Sequence, residues 1–263
     1  MPTRARLDAE LVRRGLARSR QQAAELIGAG RVAIRGVPAA KPATVVDRDT
    51  PLVVTESDVP QWASRGGHKL IGALDAFGVA VDGLRCLDAG ASTGGFTDVL
   101  LARGAAEVVA VDVGYGQLDW RLRSDPRVRV HDRTNVRALT PDVIGGPADL
   151  TVADLSFISL RTVLPALIAC TAPEGTLLPM VKPQFEVGRE RLGSGGVVRD
   201  PSLRRGALAD VAAAARAGGL AVRGAVASPL PGPSGNVEFF LWLDRRGPDA
   251  GDAVLAAAVE AGP

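Results

Sequence analysis

The sequence is poor in lysine, cysteine and long apolar runs, and each shortage excludes a class of protein. No stretch approaches the roughly 20 apolar residues of a membrane-spanning helix, and residues 1–10 contain no apolar run typical of a secretory signal. Cys86 and Cys170 lie far apart in apolar surroundings, which indicates reduced core residues rather than a disulfide framework. We therefore expect a cytoplasmic protein that binds neither a membrane nor a metal.

Lysine accounts for only three of the 31 basic residues: Lys41, Lys69 and Lys182. A coding bias towards arginine explains the general shortage, so each surviving lysine is of interest. Arginine stays charged in proteins, whereas lysine can give up its proton in a suitable environment. Chance survival is the alternative interpretation for any single lysine.

Positive charge is concentrated at the N-terminal end of the 263-residue chain. Residues 1–50 contain ten lysines and arginines against five acidic residues, a net charge of +5, whereas the whole chain carries +2. A basic patch suits a polyanion such as RNA, although a solvated surface is the plainer explanation. The candidate RNA contacts in this segment are Arg4, Arg6, Arg14, Arg18, Arg20 and Lys41.

Two short helices followed by a strand are predicted in the same segment. Residues 7–16 have leucines at helical spacing, and Ser19 followed by Gln22 fits a capping box that opens a second helix. Residues 31–37 have the pattern of a short strand and turn. The stretch from residue 6 to about residue 54 resembles the small RNA-binding domain first described in ribosomal protein S-four. This resemblance implies RNA as the partner but does not identify a reaction.

From Arg65 onward, predicted strands alternate with predicted helices. This alternation predicts an α/β fold with a parallel sheet covered on both faces, and ligands bind at the carboxyl ends of such strands. A helix is predicted over residues 68–77. The predicted strands cover residues 85–88, 107–112, 128–132, 150–154, 176–182 and 237–243.

A glycine-rich turn follows the first of these strands, and four of the strands end in Asp88, Asp112, Asp132 and Asp154. Glycines let a ligand approach the backbone, and an acidic residue about 20 positions further on, here Asp112, is placed to hold ribose hydroxyls. A nicotinamide site or a mere tight turn are the alternatives. However, Ser92 occupies a position where a dinucleotide fingerprint has glycine, whereas strand-end carboxylates suit a cationic sulfonium.

The sequence LDAGASTGGFTDVLLARGA, followed by VVAVDVG, resembles the two cofactor motifs of Rossmann-like methyltransferases. The resemblance implies S-adenosylmethionine as cofactor, with the turn around its methionine moiety, Asp112 on its ribose and Asp132 near its adenine. The implied cofactor residues are Asp88, Gly90, Ala91, Ser92, Thr93, Gly94, Asp112 and Asp132. The predicted fold is then a Rossmann-like methyltransferase sheet with a small N-terminal α+β RNA-binding domain.

The motif ADLSFIS at residues 153–159 narrows the choice of methyl acceptor. Enzymes that methylate exocyclic amines usually carry two prolines and an aromatic residue there, and this motif has no prolines. Methylation of carbon five of a pyrimidine in RNA needs a cysteine nucleophile, but Cys86 lies inside a predicted strand and Cys170 ends an apolar helix. Oxygen remains, and a ribose hydroxyl needs a base or a positive environment that stabilises the alkoxide.

Four charged residues abut predicted strand ends or loops of the site: Lys69, Asp154, Lys182 and Glu238. Neighbouring ammonium groups disfavour each other's charge, so one amine can act as a base, and a carboxylate can orient it. A solvated network of carboxylates and lysines is the plainer alternative. The scarcity of lysine elsewhere in the chain weighs against it.

The same four residues occur in the order of the Lys-Asp-Lys-Glu tetrad of FtsJ-like ribose 2′-O-methyltransferases. The segments SRGGHKL, DLSFISL, VKPQFEVGR and GNVEFF further resemble the TlyA family, which joins an S-four-like domain to an FtsJ-like domain and is also labelled haemolysin. The resemblance implies methylation of cytidine 2′-hydroxyls in ribosomal RNA within ribosomal subunits. It implies that Lys182 deprotonates or positions the hydroxyl and that Asp154 orients Lys182. Lys69 and Glu238 would tune the charge and hold the ribose.

The expected organisation has four parts: an RNA-binding domain at 1–59, a linker at 60–64, a methyltransferase domain at 65–245 and a tail at 246–263. Trp62 is interpreted as a packing anchor, and the tail, rich in glycine, proline and alanine, as loosely ordered. Arg65 is a further candidate RNA contact. Phe157 either stacks on a nucleotide displaced from folded RNA or is a core aromatic.

Two other functions compete with an enzyme. A membrane-active haemolysin has no apolar span and no basic amphipathic stretch with aromatic residues to support it. A non-catalytic RNA-binding or ribosome-assembly factor would retain the fold, but the intact glycine turn and the four charged residues favour catalysis.

Overall fold

A computed structural model of the protein describes residues 4–17, 19–28, 30–55, 62–232 and 234–262. The chain divides into two compact units, Met1–Gln61 and Trp62–Pro263. The division falls inside the expected linker at 60–64, of which residues 62–64 belong to the second unit. Trp62 itself packs on the hydrophobic core of the second unit.

The first unit consists of a helix pair and short antiparallel strands. Its elements are β1 (Arg4–Arg6), α1 (Leu7–Arg13), α2 (Arg20–Gly28), β2 (Val32–Ile34), β3 (Val37–Pro38), β4 (Val45–Asp47) and β5 (Leu52–Val54). Strand β1 pairs with β4, and β2 lies between β3 and β5. Ser19 Oγ accepts a hydrogen bond from Gln22 N at 3.1 Å, which confirms the capping contact expected at the start of α2.

The second unit is a seven-stranded sheet with helices on both faces. Its elements are α3 (Gly66–Phe77), β6 (Arg85–Ala89), α4 (Gly95–Ala102), β7 (Glu107–Val111), α5 (Trp120–Arg123), β8 (Val128–His131), α6 (Pro141–Ile144), β9 (Ala148–Ala153), α7 (Leu160–Cys170), β10 (Thr171–Val181), α8 (Pro183–Glu186), α9 (Pro201–Ala217), β11 (Ala221–Ala227), β12 (Phe239–Asp244) and α10 (Ala253–Ala261). The strand order is β11-β12-β10-β9-β6-β7-β8. Strands β10, β9, β6, β7 and β8 are parallel, as expected.

The prediction that residues 237–243 continue the parallel sheet is wrong. Strand β12 runs antiparallel to both β10 and β11, and β11 itself is missing from the sequence-based prediction. Residues 228–238 join these two strands without a helix in their described part, and strands joined without a crossover helix pair antiparallel. Because β12 is reversed, its first residue, Phe239, pairs with Val181 at the end of β10. Glu238 and Lys182 therefore flank the same edge of the sheet.

Alternate side chains of the sheet pack into two apolar layers. Phe239 belongs to the layer that contains α7, α9 and α10, whereas Phe240 belongs to the layer that contains α3 and α4. Cys86 and Cys170 are free and buried, one in each layer. Burial raises the pKa of the Cys86 thiol to about 12, so this side chain is a poor nucleophile, in line with its interpretation as a core residue.

The tail is ordered, which contradicts the expectation of a loose segment after Asp244. Helix α10 buries Leu255 and Val259 in the apolar layer of α7 and α9. Arg216 on α9 forms ion pairs of 2.8 Å with both Asp249 and Asp252, which ties the segment before α10 to the second unit. The alanine-rich stretch is therefore a helix former with an apolar face rather than a flexible linker.

Candidate active site

The glycine turn between β6 and α4 lies at the carboxyl edge of the sheet, where its backbone packs closely against the backbone that follows β9. Gly90 has a φ of +89°, and a Cβ at this position would lie 2.5 Å from the carbonyl oxygen of Asp154. Gly94 has a φ of +97° and caps α4, and a Cβ there would collide with the side chain of Leu122. Both glycines are required by geometry, while Ser92 and Thr93 are exposed on the turn.

Two of the predicted cofactor carboxylates are anchored to backbone N–H groups around this turn. Asp112 Oδ2 accepts a hydrogen bond from Ser92 N at 2.8 Å, and its Oδ1 accepts one from Gly114 N at 2.7 Å. Asp132 accepts from Gly116 N at 3.2 Å and pairs with Arg123 at 2.9 Å, which lowers the pKa of Asp132. A carboxylate has about four lone-pair sites. Asp112 thus retains acceptor capacity for hydroxyl groups of a ligand.

Asp88 lies beneath the turn, fully buried at the end of β6. Thr97 Oγ1 donates a hydrogen bond to Asp88 Oδ2 at 2.7 Å, while Asp88 Oδ1 has no hydrogen-bond partner among the described residues. Burial raises the pKa of Asp88 to about 7 against the hydrogen bond from Thr97, and the charge of Asp154 contributes to the rise. This orphaned acceptor is suited to a cationic donor placed in the turn.

We expect Asp88→Asn to remove a pH dependence from the stability of the ligand-free protein. The folded state keeps the Asp88 proton up to about pH 7, whereas the unfolded chain releases it near 3.8. Wild-type stability should therefore fall as pH rises between these values. Urea unfolding measures this effect. The free energy of unfolding of the wild type minus that of the variant should be about 2–3 kcal/mol lower at pH 8 than at pH 5. A difference that stays constant with pH would contradict a protonated Asp88.

The structure brings Lys182 and Asp154 together at the ends of neighbouring parallel strands. Asp154 follows β9, Lys182 follows β10, and Lys182 Nζ lies 2.5 Å from Asp154 Oδ1. The lysine side chain is 9% exposed and the aspartate 24% exposed, so the pair borders solvent at the edge of the sheet. Asp154 N also donates to Ala89 O at 3.0 Å, which fixes this pair beside the glycine turn.

Lys69 and Glu238 form the second pair of predicted residues. Lys69 Nζ, on α3, lies 2.5 Å from Glu238 Oε2, and both side chains are buried. Glu238 reaches this edge only because β12 is antiparallel. A Cβ on Gly232 would lie 2.5 Å from Glu238 Oε1, so the loop before β12 packs directly over this carboxylate.

Ser156 is a site residue that the sequence analysis did not single out. Its Oγ accepts a hydrogen bond from Lys182 Nζ at 3.0 Å, so Lys182 is held by Ser156 as well as by Asp154. The motif ADLSFIS contained the signal, since a serine two positions after a strand-end aspartate can face the same group.

The interpretation of Phe157 as a core aromatic is wrong. Its side chain is 91% exposed, and its backbone has a φ of +64°, a conformation that bulky residues rarely adopt. Its only ring contact among the described residues is with Phe185, at 5.3 Å between centroids. The structure therefore presents an exposed aromatic ring on the residue after Ser156, and stacking on a nucleotide stays a prediction.

The predicted RNA contacts of the first unit differ in how far their side chains are already engaged in ion pairs and hydrogen bonds within the protein. Arg14 bonds to Glu10 at 2.7 Å and to the carbonyl oxygens of Arg48 and Thr50, so it holds the unit together. Arg6 and Arg20 both pair with Asp8 but remain about half exposed.

The other predicted RNA contacts form fewer interactions within the described part of the protein. Arg4 is exposed and pairs with the half-buried Asp47, and Lys41 is exposed. Arg65 in the second unit donates to Pro231 O at 2.9 Å. Arg18 lies outside the described residues. An RNA contact by any of them stays a prediction.

The described ranges contain no group of three or more His, Cys, Asp or Glu side chains arranged to hold a metal ion. Within the same ranges, every helix is too short or too polar to cross a membrane.

Comparisons with known proteins identify the family of this chain. A family described as FtsJ-like methyltransferase matches residues 62–245, and the S4 domain matches residues 5–50. The 16S/23S rRNA (cytidine-2′-O)-methyltransferase TlyA of Mycobacterium tuberculosis is 66% identical over 243 residues, 92% of this chain and 91% of that protein.

Two solved structures with provisional hemolysin names are also similar. One, from Streptococcus thermophilus, has a TM-score of 0.78 at 39% identity and covers 99% of this chain and 95% of its own. The other, from Lactococcus lactis, has a TM-score of 0.73 at 40% identity and covers 77% of this chain and 98% of its own.

The fold and the strand-end site define a Rossmann-like methyltransferase with an appended RNA-binding unit. The chain belongs to the FtsJ-like methyltransferase family and, within it, to the group that contains the TlyA proteins. The sequence-based prediction of the family, of the fold class and of a methyltransferase is thereby confirmed.

Proposed function

We propose that this protein transfers a methyl group from S-adenosylmethionine to the ribose 2′-hydroxyl of a cytidine in ribosomal RNA, acting on ribosomal subunits. The observation that carries the proposal is the Lys182–Asp154 pair, held beside the glycine turn by the hydrogen bond from Asp154 N to Ala89 O. One edge of the sheet thus joins a candidate cofactor cradle to a candidate base.

The residues of the turn fit S-adenosylmethionine. The cofactor, when bound, supplies an electrophilic methyl group on a sulfonium. Gly90 and Gly94 hold the turn in positive-φ conformations that pack it against Asp154 and Leu122, and the orphaned Asp88 Oδ1 suits the ammonium group of the cofactor. Asp112 has acceptor capacity left for the ribose hydroxyls, and Asp132 stands at the end of the next strand.

Lys182 is the group that would act on the acceptor hydroxyl. A 2′-hydroxyl is a weak nucleophile at neutral pH, so it must lose its proton or have the developing alkoxide stabilised by a nearby cation. Lys182 Nζ is fixed by Asp154 on one side and Ser156 on the other, which limits its rotamers and sets its direction. The buried ion pair of Lys69 and Glu238 ties α3 to the residue before β12, at the edge of the sheet where β10 ends.

Ribosomal RNA as substrate is supported by the first unit. Its S4 domain, its net positive charge and the exposed Lys41 suit a folded polyanion. Phe157, exposed beside Lys182, suits the stacking of a displaced base.

We expect Ser156→Ala to lower the single-turnover rate constant of methylation about tenfold, because one hydrogen bond to a charged group is lost. S-adenosylmethionine affinity should stay unchanged, since Ser156 does not belong to the glycine turn. Ser156→Thr keeps a hydroxyl and should restore most of the rate. Single-turnover methylation at saturating cofactor measures both variants. An alanine variant as fast as the wild type would show that Asp154 alone positions Lys182.

The proposal is tested with purified protein, labelled S-adenosylmethionine and unmodified small subunits, large subunits or protein-free ribosomal RNA. Label in one or both subunits but little in free RNA is the expected result. Cofactor binding without any transfer would contradict the proposal, and tight subunit binding without cofactor binding would favour a non-catalytic assembly factor. Leakage of dye from liposomes of mixed phospholipids would instead favour the haemolysin.

A further inference from the structure

Glu186 is a buried carboxylate that links the two segments bearing the candidate catalytic residues. It ends α8, four residues after Lys182, and its side chain is 1% exposed. Glu186 Oε2 accepts a hydrogen bond from Ser159 Oγ at 2.6 Å, and Oε1 accepts one from Leu160 N at 2.7 Å. Both donors belong to the start of α7, which follows the segment with Asp154.

The segment between β9 and α7 has few other polar anchors. Asp154 N donates to Ala89 O, but residues 155–158 donate no backbone hydrogen bond to another described segment. This stretch carries Ser156 and the positive-φ residue Phe157. Besides the packing of Leu155 and Ile158 on the core, its shape depends on its two ends and on its contacts with the segment after β10. Glu186 supplies the anchor at the α7 end.

Burying the carboxylate of Glu186 costs free energy unless hydrogen bonds and nearby positive charge stabilise it. Burial raises the pKa of Glu186 against the hydrogen bonds from Ser159 and Leu160. The first-turn N–H of α7 and the guanidinium of Arg161, whose Nε lies 3.4 Å away, offset this cost. Ser159 already caps α7 by accepting from Arg161 N at 3.3 Å, so the helix start has a cap without Glu186.

We infer that Glu186 is a positioning residue for the proposed methyl transfer. Its hydrogen bonds hold the start of α7 against the segment after β10, so that Asp154 and Ser156 stay in contact with Lys182 Nζ. The inference rests on the proposed function, because it concerns the same site. Glu186 touches neither cofactor cradle nor acceptor, and it acts only through the segment that it holds.

The test compares the full-length wild type with Glu186→Ala, Glu186→Gln and Asp210→Asn. Asp210 is an exposed carboxylate 3.6 Å from Arg161. Its variant therefore disturbs the same arginine but leaves the hydrogen bonds of Glu186 with Ser159 and Leu160 in place. We measure single-turnover methylation of ribosomal subunits, S-adenosylmethionine affinity and melting temperature. Glu186→Ala should lose at least roughly tenfold in rate at saturating substrates, with cofactor affinity within about twofold, since small displacements of reacting groups have large rate effects.

The conservative variant separates positioning from folding. In Glu186→Gln the amide oxygen can still accept from Leu160 N, so its rate should lie within about threefold of the wild type, as should that of Asp210→Asn. If Glu186→Ala does not fold, Ser159→Ala, which removes the 2.6 Å contact together with the cap on Arg161 N, must show a loss of rate while folding and cofactor affinity are retained.

Each outcome decides one question. A Glu186→Ala rate equal to that of the wild type, or a fall in rate matched by an equal loss of cofactor binding, would overturn the inference. A wild-type protein that transfers no methyl group to either subunit would overturn the proposed function instead.

Discussion

We expect Lys182→Ala to lower the methylation rate by roughly 10³-fold, because it removes the group that acts on the acceptor oxygen. The cofactor turn is untouched by this change, so S-adenosylmethionine affinity should stay within a few-fold of the wild type. Asp154 loses its partner but is 24% exposed, so the variant should fold. Single-turnover kinetics and calorimetry of cofactor binding measure the two effects separately.

Lys182→Arg is the informative companion. It retains a positive charge near Asp154, but arginine cannot give up a proton, and its planar guanidinium differs in shape from an ammonium group. A rate as low as that of the alanine variant would favour Lys182 as a base. A substantial recovery would assign it the role of stabilising the alkoxide. An alanine variant that methylates at the wild-type rate while binding RNA normally would contradict both roles.

Gly90→Ala should have the second large effect, on cofactor binding and stability together. A Cβ here would lie 2.5 Å from the carbonyl oxygen of Asp154, and the φ of +89° is unfavourable for alanine. We expect a loss of about 3 kcal/mol in unfolding free energy. S-adenosylmethionine binding should weaken on the order of 100-fold, equivalent to about 2.7 kcal/mol, because the turn must move away from β9.

Gly83→Ala provides a matched control for backbone strain. Gly83 also has a positive φ, +73°, but a Cβ there would meet no atom within 4 Å. This variant should lose only about 1 kcal/mol and bind the cofactor normally. Urea unfolding and calorimetry compare the pair. Equal behaviour of the two variants would show that close approach to Asp154 has no role in shaping the turn.

The position of the site followed from a few sequence rules. In a fold of alternating strands and helices, the parallel strands have their carboxyl ends at one edge of the sheet. The strand-end residues Asp112, Asp154 and Lys182 are therefore predicted to lie near each other. The structure places Lys182 and Asp154 in contact. Lys69 and Glu238 are far apart in the sequence, but each abuts a predicted strand end or a loop of the site, and the family resemblance adds that they act together. The direction of β12, which explains their proximity physically, was predicted wrongly.

Other features could not be predicted because they depend on tertiary partners. Strand β11 lies in the stretch Ala221–Ala227, whose small residues carry little strand signal, and it forms by pairing with β12. Helix α10 is stabilised by packing on the second unit and by Arg216. The contacts of Glu186 join residues 26 and 27 positions apart, and no local pattern indicates which donors a buried carboxylate will meet.

Counting charges also overestimated the free basic surface of the first unit. Arg6, Arg14 and Arg20 are among the predicted RNA contacts, but Arg14 shares Glu10 with Arg13, and Arg6 and Arg20 share Asp8. Pairing lowers the pKa of both carboxyls to about 2, so these acids stay ionised and keep the arginines engaged near neutral pH. Sequence shows the net charge of a segment, but only the fold shows which charges are already paired.

The most direct test of the central claim is the chemical identity of the methylated nucleoside. Ribosomal subunits methylated by the wild-type protein would be digested with nuclease or with alkali and analysed by mass spectrometry. We expect 2′-O-methylcytidine after nuclease digestion, and an alkali-resistant dinucleotide, since a methylated 2′-oxygen cannot attack the neighbouring phosphodiester. A methyl group on a base, with full cleavage by alkali, would contradict the assignment of Lys182 to a ribose hydroxyl.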